Sequence, residues 1–177
     1  METSTKSSAI NYGLYLGGIL ALITLLGYAL YIDLLTKWWL GIILFVVIII
    51  FGIISAIKSK KMQNGIISFK EAFSSYFITV AIGIIISMLI SIILFNYVDP
   101  EAAITLKEKT IEATIQLMRN FNAPEEAVEQ TLEQMEAQKN QFSILPQLQS
   151  NAIFLVIQAL IGLIIALIVK RNPETVE

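Results

Sequence analysis

The chain has 177 residues, of which 56% are hydrophobic and only 15% charged, with a net charge of −2 and a mean hydropathy of +0.74. Soluble domains carry about 25% charged residues, so this composition excludes an ordinary soluble domain and points to lipid. The absence of cysteine and histidine excludes disulfides, thiolate metal sites, lipoprotein-type acylation, Ser-His and Cys-His nucleophile pairs and the HExxH zinc signature.

Four stretches contain no Asp, Glu, Lys or Arg: Tyr12 to Ile32, Trp38 to Ile57, Ala72 to Val98 and Ala152 to Val169. Each approaches or exceeds the roughly 20 residues that cross a hydrocarbon core of about 30 Å. Unpaired backbone groups are not tolerated in lipid, so each stretch must be helical. The expected fold is an all-α polytopic membrane protein, a single domain over 1–177. Its membrane helices are predicted at about 10–32, 38–57, 70–98 and 147–170, with an extramembrane αα-hairpin at about 99–145.

The first span follows a tail with one basic residue, Lys6, and lacks a small-x-small cleavage site. It reads as a retained helix rather than a signal peptide. Gly13, Gly17 and Ala21 give it a small-residue face, and Thr24 is its notable polar group. The second span, containing GIILFVVIIIF, offers almost no such face and reads as the helix most exposed to lipid.

Between the second and third spans lie Lys58, Lys60, Lys61 and Lys70. Basic clusters beside a span are the usual inside signal, and these lysines fix topology or select anionic lipid. Gly65 supplies a turn, and Ser68 with Glu71 forms a capping-box pattern at the start of the third helix. Run continuously from Phe69 to Val98, that helix would measure about 45 Å at about 1.5 Å per residue. It carries Ser75, Thr79, Gly83, Ser87 and Ser91 at every fourth place, a row that suits close helix packing. Partners for that row are Gly13, Gly17 and Ala21 in the first span, and Gly162 and Ala166 in the fourth. Thr24 and Gln158 read as interhelical hydrogen bonds rather than substrate ligands.

Asp99-Pro100 is a helix start that leads to about Asn120. Asn122-Ala123-Pro124-Glu125 reads as a second start, for a helix ending near Gln141, and Pro146 as the start of the last helix. The second hairpin helix has one apolar stripe, Val128, Leu132, Met135 and Phe142. The first has two: Ile104, Ile111, Ile115 and Met118, and nearly opposite them Leu106, Ala113 and Leu117. One of these faces can meet the second helix. The face marked by Leu106 and Leu117 needs another cover, such as the membrane surface, the outer ends of the spans or a second copy, and is expected to self-associate, bind a partner or dock on the bilayer. Glu125, Glu126, Glu129, Glu133 and Glu136 form a solvated acidic face. Nine acidic against four basic residues make 99–150 net −5, which disfavours nucleic acid.

Topology follows from the cations. Lys6, Lys58, Lys60, Lys61, Lys70, Lys170 and Arg171 are dense on one side of the predicted spans, and Lys37, Lys107, Lys109, Arg119 and Lys139 sparse on the other. The positive-inside rule puts both termini in the cytoplasm and 99–150 on the outer face.

Asn64-Gly65 with Ile67-Ser68-Phe69-Lys70-Glu71-Ala72-Phe73, Asp99-Pro100, Pro124-Glu125-Glu126 with Met135, and the closing Lys170-Arg171 resemble a family of small bacterial membrane proteins, domain of unknown function 4199. The resemblance covers nearly the whole chain in order. It implies a bacterial inner-membrane location and about four membrane helices, and it assigns no activity or site residues. The preferred reading is a non-enzymatic accessory or interaction protein. A small transporter or channel subunit, with a polar path through Ser75, Thr79, Ser87, Ser91 and Gln158, is the alternative. No catalytic, cofactor-binding or metal-binding residue is assigned and no cofactor is expected, since the spans lack a convergent set of acid, base or metal groups. The expected partners are the lipid bilayer, a second copy or another membrane protein.

Overall fold

The structure, a computed structural model, describes residues 2–171, and the expected cytoplasmic tail beyond Arg171 lies outside the described residues. Its elements are α1 (Glu2–Leu30), a 3-10 turn (Ile32–Thr36), α2 (Trp38–Met62), α3 (Phe69–Ile93), a π turn (Leu94–Val98), α4 (Pro100–Asn120), α5 (Glu125–Ala137) and α6 (Ile144–Val169). Among the described residues the one extended pairing is an isolated antiparallel bridge between Ile67 and Arg171. The fold is all-α. Four helical segments of 27, 25, 30 and 26 residues, in α1, α2, α3 with its π turn, and α6, are long and apolar enough to cross a membrane. The protein is a multi-pass membrane protein.

Helix α3 is the centre of the bundle and packs on α1, α2 and α6. It starts as its sequence dictates: Ser68 Oγ accepts from Glu71 N at 3.3 Å, while Ser68 N donates to Glu71 Oε2 at 2.9 Å. Such a cap contributes about 1 kcal/mol. Against α1 the surfaces interlock. A Cβ added to Gly13, Gly17 or Gly83 would lie 2.8 Å or less from Ile82, Ile86 or Leu16 respectively, so each glycine admits a large side chain from the facing helix. Leu16, Leu20, Ile48, Tyr76, Val80 and Ile84 close the middle of the bundle as an apolar layer.

Several boundaries differ from the sequence-based expectation, each for a local reason. Helix α1 begins well before residue 10 because its first turns pack on α3: Thr5 and Ala9 are buried. Helix α2 runs on to Met62, which places Lys60 and Lys61 in its last turn, where cations complement the helix dipole. The third span does not stay α-helical to Val98. Its end widens into the π turn, where Asp99 N donates to Leu94 O at 2.8 Å and Asn96 Nδ2 reaches Phe142 O at 2.9 Å. Helix α5 stops at Ala137, with Gln138 extended, and Lys107 Nζ takes the carbonyls of Glu136 and Gln138 at 3.0 and 2.7 Å. Helix α6 starts at Ile144, ahead of Pro146, which sits in the first turn where a missing N–H costs no hydrogen bond.

The two Asn turns share one geometry. Asn64 and Asn122 have φ of 57° and 55°, and the following residues, Gly65 and Ala123, donate back to Lys60 O and Met118 O at 3.0 Å each. Both are Schellman endings with asparagine in the left-handed position. Asn122 therefore ends α4 rather than capping α5, whose N-cap position is held by Pro124.

Candidate functional site

The polar groups of the bundle gather around Tyr76. Its ring is fully buried and lies between two glycine backbones: a Cβ on Gly52 of α2 would be 2.5 Å from it, and one on Gly162 of α6 2.7 Å. Its hydroxyl donates to Gln158 Oε1 at 2.8 Å. From the position next to Tyr76 in the chain, Ser75 Oγ donates to Ser59 Oγ at 2.8 Å, and Ser55 Oγ donates to Ser75 O at 3.1 Å. Thr79 Oγ1 lies 2.8 Å from Ser55 Oγ and 2.9 Å from Ala9 O, and its one hydrogen serves one of them at a time. Three helices are thus joined by hydroxyls and the fourth by Tyr76.

This arrangement corrects the expectation that α2 lacks a face of small residues, although α2 is, with α6, the least buried of the four spans. One of its faces, with Trp38, Ile42, Val46, Ile50 and Ile54, is exposed, but Gly52, Ser55, Ala56 and Ser59 are buried. Their spacing of three, one and three residues is the signal that was available, in the part of the span after GIILFVVIIIF. Thr24 also differs from expectation, since Thr24 Oγ1 donates to Leu20 O of its own helix at 3.1 Å. Ser87 and Ser91 are half-buried and stand beyond the apolar layer from Ser75 and Thr79. The row of small residues is therefore a packing surface with hydroxyls at one end.

At that end the basic residues assemble. Ile67 and Arg171 exchange backbone hydrogen bonds at 3.2 and 3.0 Å, tying the α2–α3 turn to the end of α6. Lys60 Nζ donates to Val169 O at 2.8 Å, a helix-terminal contact. Lys58, Lys61 and Lys70 are exposed. Lys70 lines a groove of about 300 Å³ with Thr5, Lys6, Ser68, Glu71 and Ser75. The groove, which Ile78 also lines, mixes both signs of charge and runs up to Ser75 of the hydroxyl cluster.

The opposite end is closed by the hairpin. Leu106 is fully buried with Leu94, Phe95, Ala102 and Ala103, against Tyr28, Ile32, Leu35 and Phe142. Of the covers expected for this face, the span ends are the one that meets Leu106, through the C-terminal end of α1 and the 3-10 turn, and the expectation that Leu106 binds a partner is corrected. Leu117, half-buried, lines a cavity beside Trp38 and Trp39. Asp99 organises the junction. It accepts from Ala102 N at 2.9 Å and from Tyr28 Oη at 2.8 Å, and these bonds, the backbone one first, hold its carboxyl below the usual range. Lys109 pairs with Asp33 of the 3-10 turn, which raises the Lys109 ammonium above its ordinary value.

Helix α5 lies along α4 with Val128 buried. Beside that contact an open groove of about 670 Å³ remains, floored by Ile111, Ile115 and Leu132 and rimmed by Glu108, Glu112 and Glu136. Arg119, also on the rim, is paired with Glu125 at 2.6 Å. These apolar residues belong to the two stripes read from sequence. Their incomplete closure was not visible there, because it depends on how far apart the helices settle.

No curated protein and no solved structure matches the chain. A family described as "Protein of unknown function (DUF4199)" matches residues 11–171, which takes in most of α1, the other three membrane helices, the lysine-rich turn and the hairpin. The chain belongs to this family.

Proposed function

We propose that this chain is a non-enzymatic accessory protein of the bacterial inner membrane, with both termini in the cytoplasm and a partner held in the α4–α5 groove on the outer face. The observation that carries the reading is the contrast between the two parts of the molecule. The bundle is filled by Leu16, Leu20, Ile48, Tyr76, Val80 and Ile84, which leaves the buried hydroxyls at one end without a polar route to Ser87 and Ser91. The hairpin keeps an apolar groove open to water, floored by Ile111, Ile115 and Leu132. Its acidic rim of Glu108, Glu112 and Glu136 favours a basic amphipathic helix, laid in the groove by its apolar face. A second copy is a poorer fit, since the lysine-rich segment of this chain lies at the other end of the bundle.

A photo-crosslinking residue at Glu112, in intact cells, tests this. The expected product is a discrete adduct whose partner peptide, identified by mass spectrometry, is basic and amphipathic, and which disappears with Ile115→Asp. Adducts formed only between copies of this chain would overturn the heterologous partner.

A further inference from the structure

A second cavity, of about 350 Å³, lies between the start of α2 and the end of α4, and its walls include Lys37, Trp38, Trp39, Gln116, Leu117 and Asn120. Three features make it unlike a packing gap. Lys37 directly precedes a 25-residue apolar helix that is able to span a membrane, so the cavity sits at the level where the chain leaves the hydrocarbon. Tryptophans prefer this level, and Trp38 and Trp39 are 61% and 42% exposed. The polar groups are also unspent. Among the described residues the side chains of Lys37, Gln116 and Asn120 make no hydrogen bond or ion pair, and Asp33, the one acid in the connection from α1 to α2, is taken by Lys109.

We propose that this cavity is a headgroup site for an anionic phospholipid. The Lys37 ammonium and the amide N–H groups of Gln116 and Asn120 face the phosphate and its polar substituent. Trp38, Trp39 and Leu117 take the glycerol and the first methylenes of the acyl chains. Leu117, expected from sequence to meet a partner or the bilayer, then contacts a single lipid from the side. The site adjoins the α4–α5 groove and shares Gln116 and Asn120 with it, while Lys37, Trp38, Trp39 and Leu117 line this cavity alone.

The chain has two tryptophans, both in this cavity, so their fluorescence reads the site without interference from the lysines at the far end. The protein is reconstituted in phosphatidylcholine vesicles containing increasing fractions of either brominated phosphatidylglycerol or brominated phosphatidylcholine. One well-placed cation at a membrane surface predicts that the anionic lipid quenches about five-fold more effectively at low mole fraction. The preference should fall to near unity in Lys37→Gln and persist in Lys37→Arg and in Lys58→Gln/Lys61→Gln. Gln116→Leu/Asn120→Leu, which changes no charge, should also reduce it, with helicity by circular dichroism unchanged. Equal quenching by the two lipids, or a preference that survives Lys37→Gln, would overturn the site. Full preference in the amide double variant would reduce the effect to surface attraction and equally overturn it.

Discussion

At the scale of single residues, Tyr76 decides the geometry of the bundle. Gly52 and Gly162 bring two helix backbones against opposite edges of its ring, and burial of the ring brings a hydroxyl with it. That hydroxyl is satisfied by Gln158 Oε1, but Gln158 Nε2 is buried without a partner among the described residues. An orphaned polar group costs about 1–3 kcal/mol, whereas hydrogen bonds between membrane helices average only about 0.6 kcal/mol. The pair is therefore worth less than either member costs when stranded. Tyr76→Phe, which leaves both ends of the Gln158 amide unpaired, should lower stability in detergent by about 1–3 kcal/mol. Gln158→Leu, which strands the Tyr76 hydroxyl, should cost less, because it also removes the orphaned amide. The double variant should recover most of the loss, since replacing both partners by apolar groups of similar shape is close to neutral. Unfolding midpoints for the four proteins give the coupling directly, and strictly additive losses would show that the bond does not join α3 to α6.

At the scale of elements, the junction between α3 and α4 is held by one ionised group. Asp99 caps α4 through Ala102 N and receives the Tyr28 hydroxyl from α1, so its carboxylate is stabilised in the folded chain and its pKa is lowered. A lowered folded-state value means that the contribution is present above the ordinary carboxylate range, of about 4, and is lost as pH falls through that range to the lower folded value. Thermal melts in detergent should accordingly show a loss of stability below about pH 4. Asp99→Asn should remove that component while keeping the helix start. An unchanged acid limb in Asp99→Asn would place the sensitivity elsewhere. The cap itself was legible in Asp99-Pro100, because N-cap chemistry is local. Its second bond was not, because Tyr28 is 71 residues away and the contact depends on the π turn that ends the third span. The same distinction accounts for Leu106. Its apolar face could be read from periodicity, but what covers it is set by how α4 lies across Tyr28, Ile32 and Leu35.

At the scale of the whole molecule, two ends of different chemistry follow from one bundle. The four spans were legible because an uncharged apolar run of about 18 residues or more is too long for most core helices and matches the thickness of a bilayer. The central place of α3 was partly legible, because its row of small residues was the longest in the chain. The matching face of α2 was hidden within a β-branched helix. The lysine-rich turn, Lys6 and Lys170-Arg171 meet at one end, through the Ile67–Arg171 pairing and the Lys60–Val169 contact, while Trp38, Trp39 and Tyr97 are exposed toward the other. A cluster of cations resists crossing the membrane during insertion, so the lysine end should stay inside and carry the hairpin outside. The chain contains no cysteine, and single substitutions can report this without removing any native thiol. Phe121→Cys, at a position 78% exposed in the hairpin turn, should react with a membrane-impermeant maleimide in intact cells whose outer membrane, if present, has been opened. Lys58→Cys should react only after the inner membrane is also permeabilised. The reverse pattern would invert the molecule, placing the acidic groove in the cytoplasm and the hydroxyl cluster toward the outside. Mixed labelling at both positions would mean that these cations alone do not hold one orientation. The α4–α5 groove would then face partners on both sides of the membrane, and the adduct from Glu112 should divide into two populations.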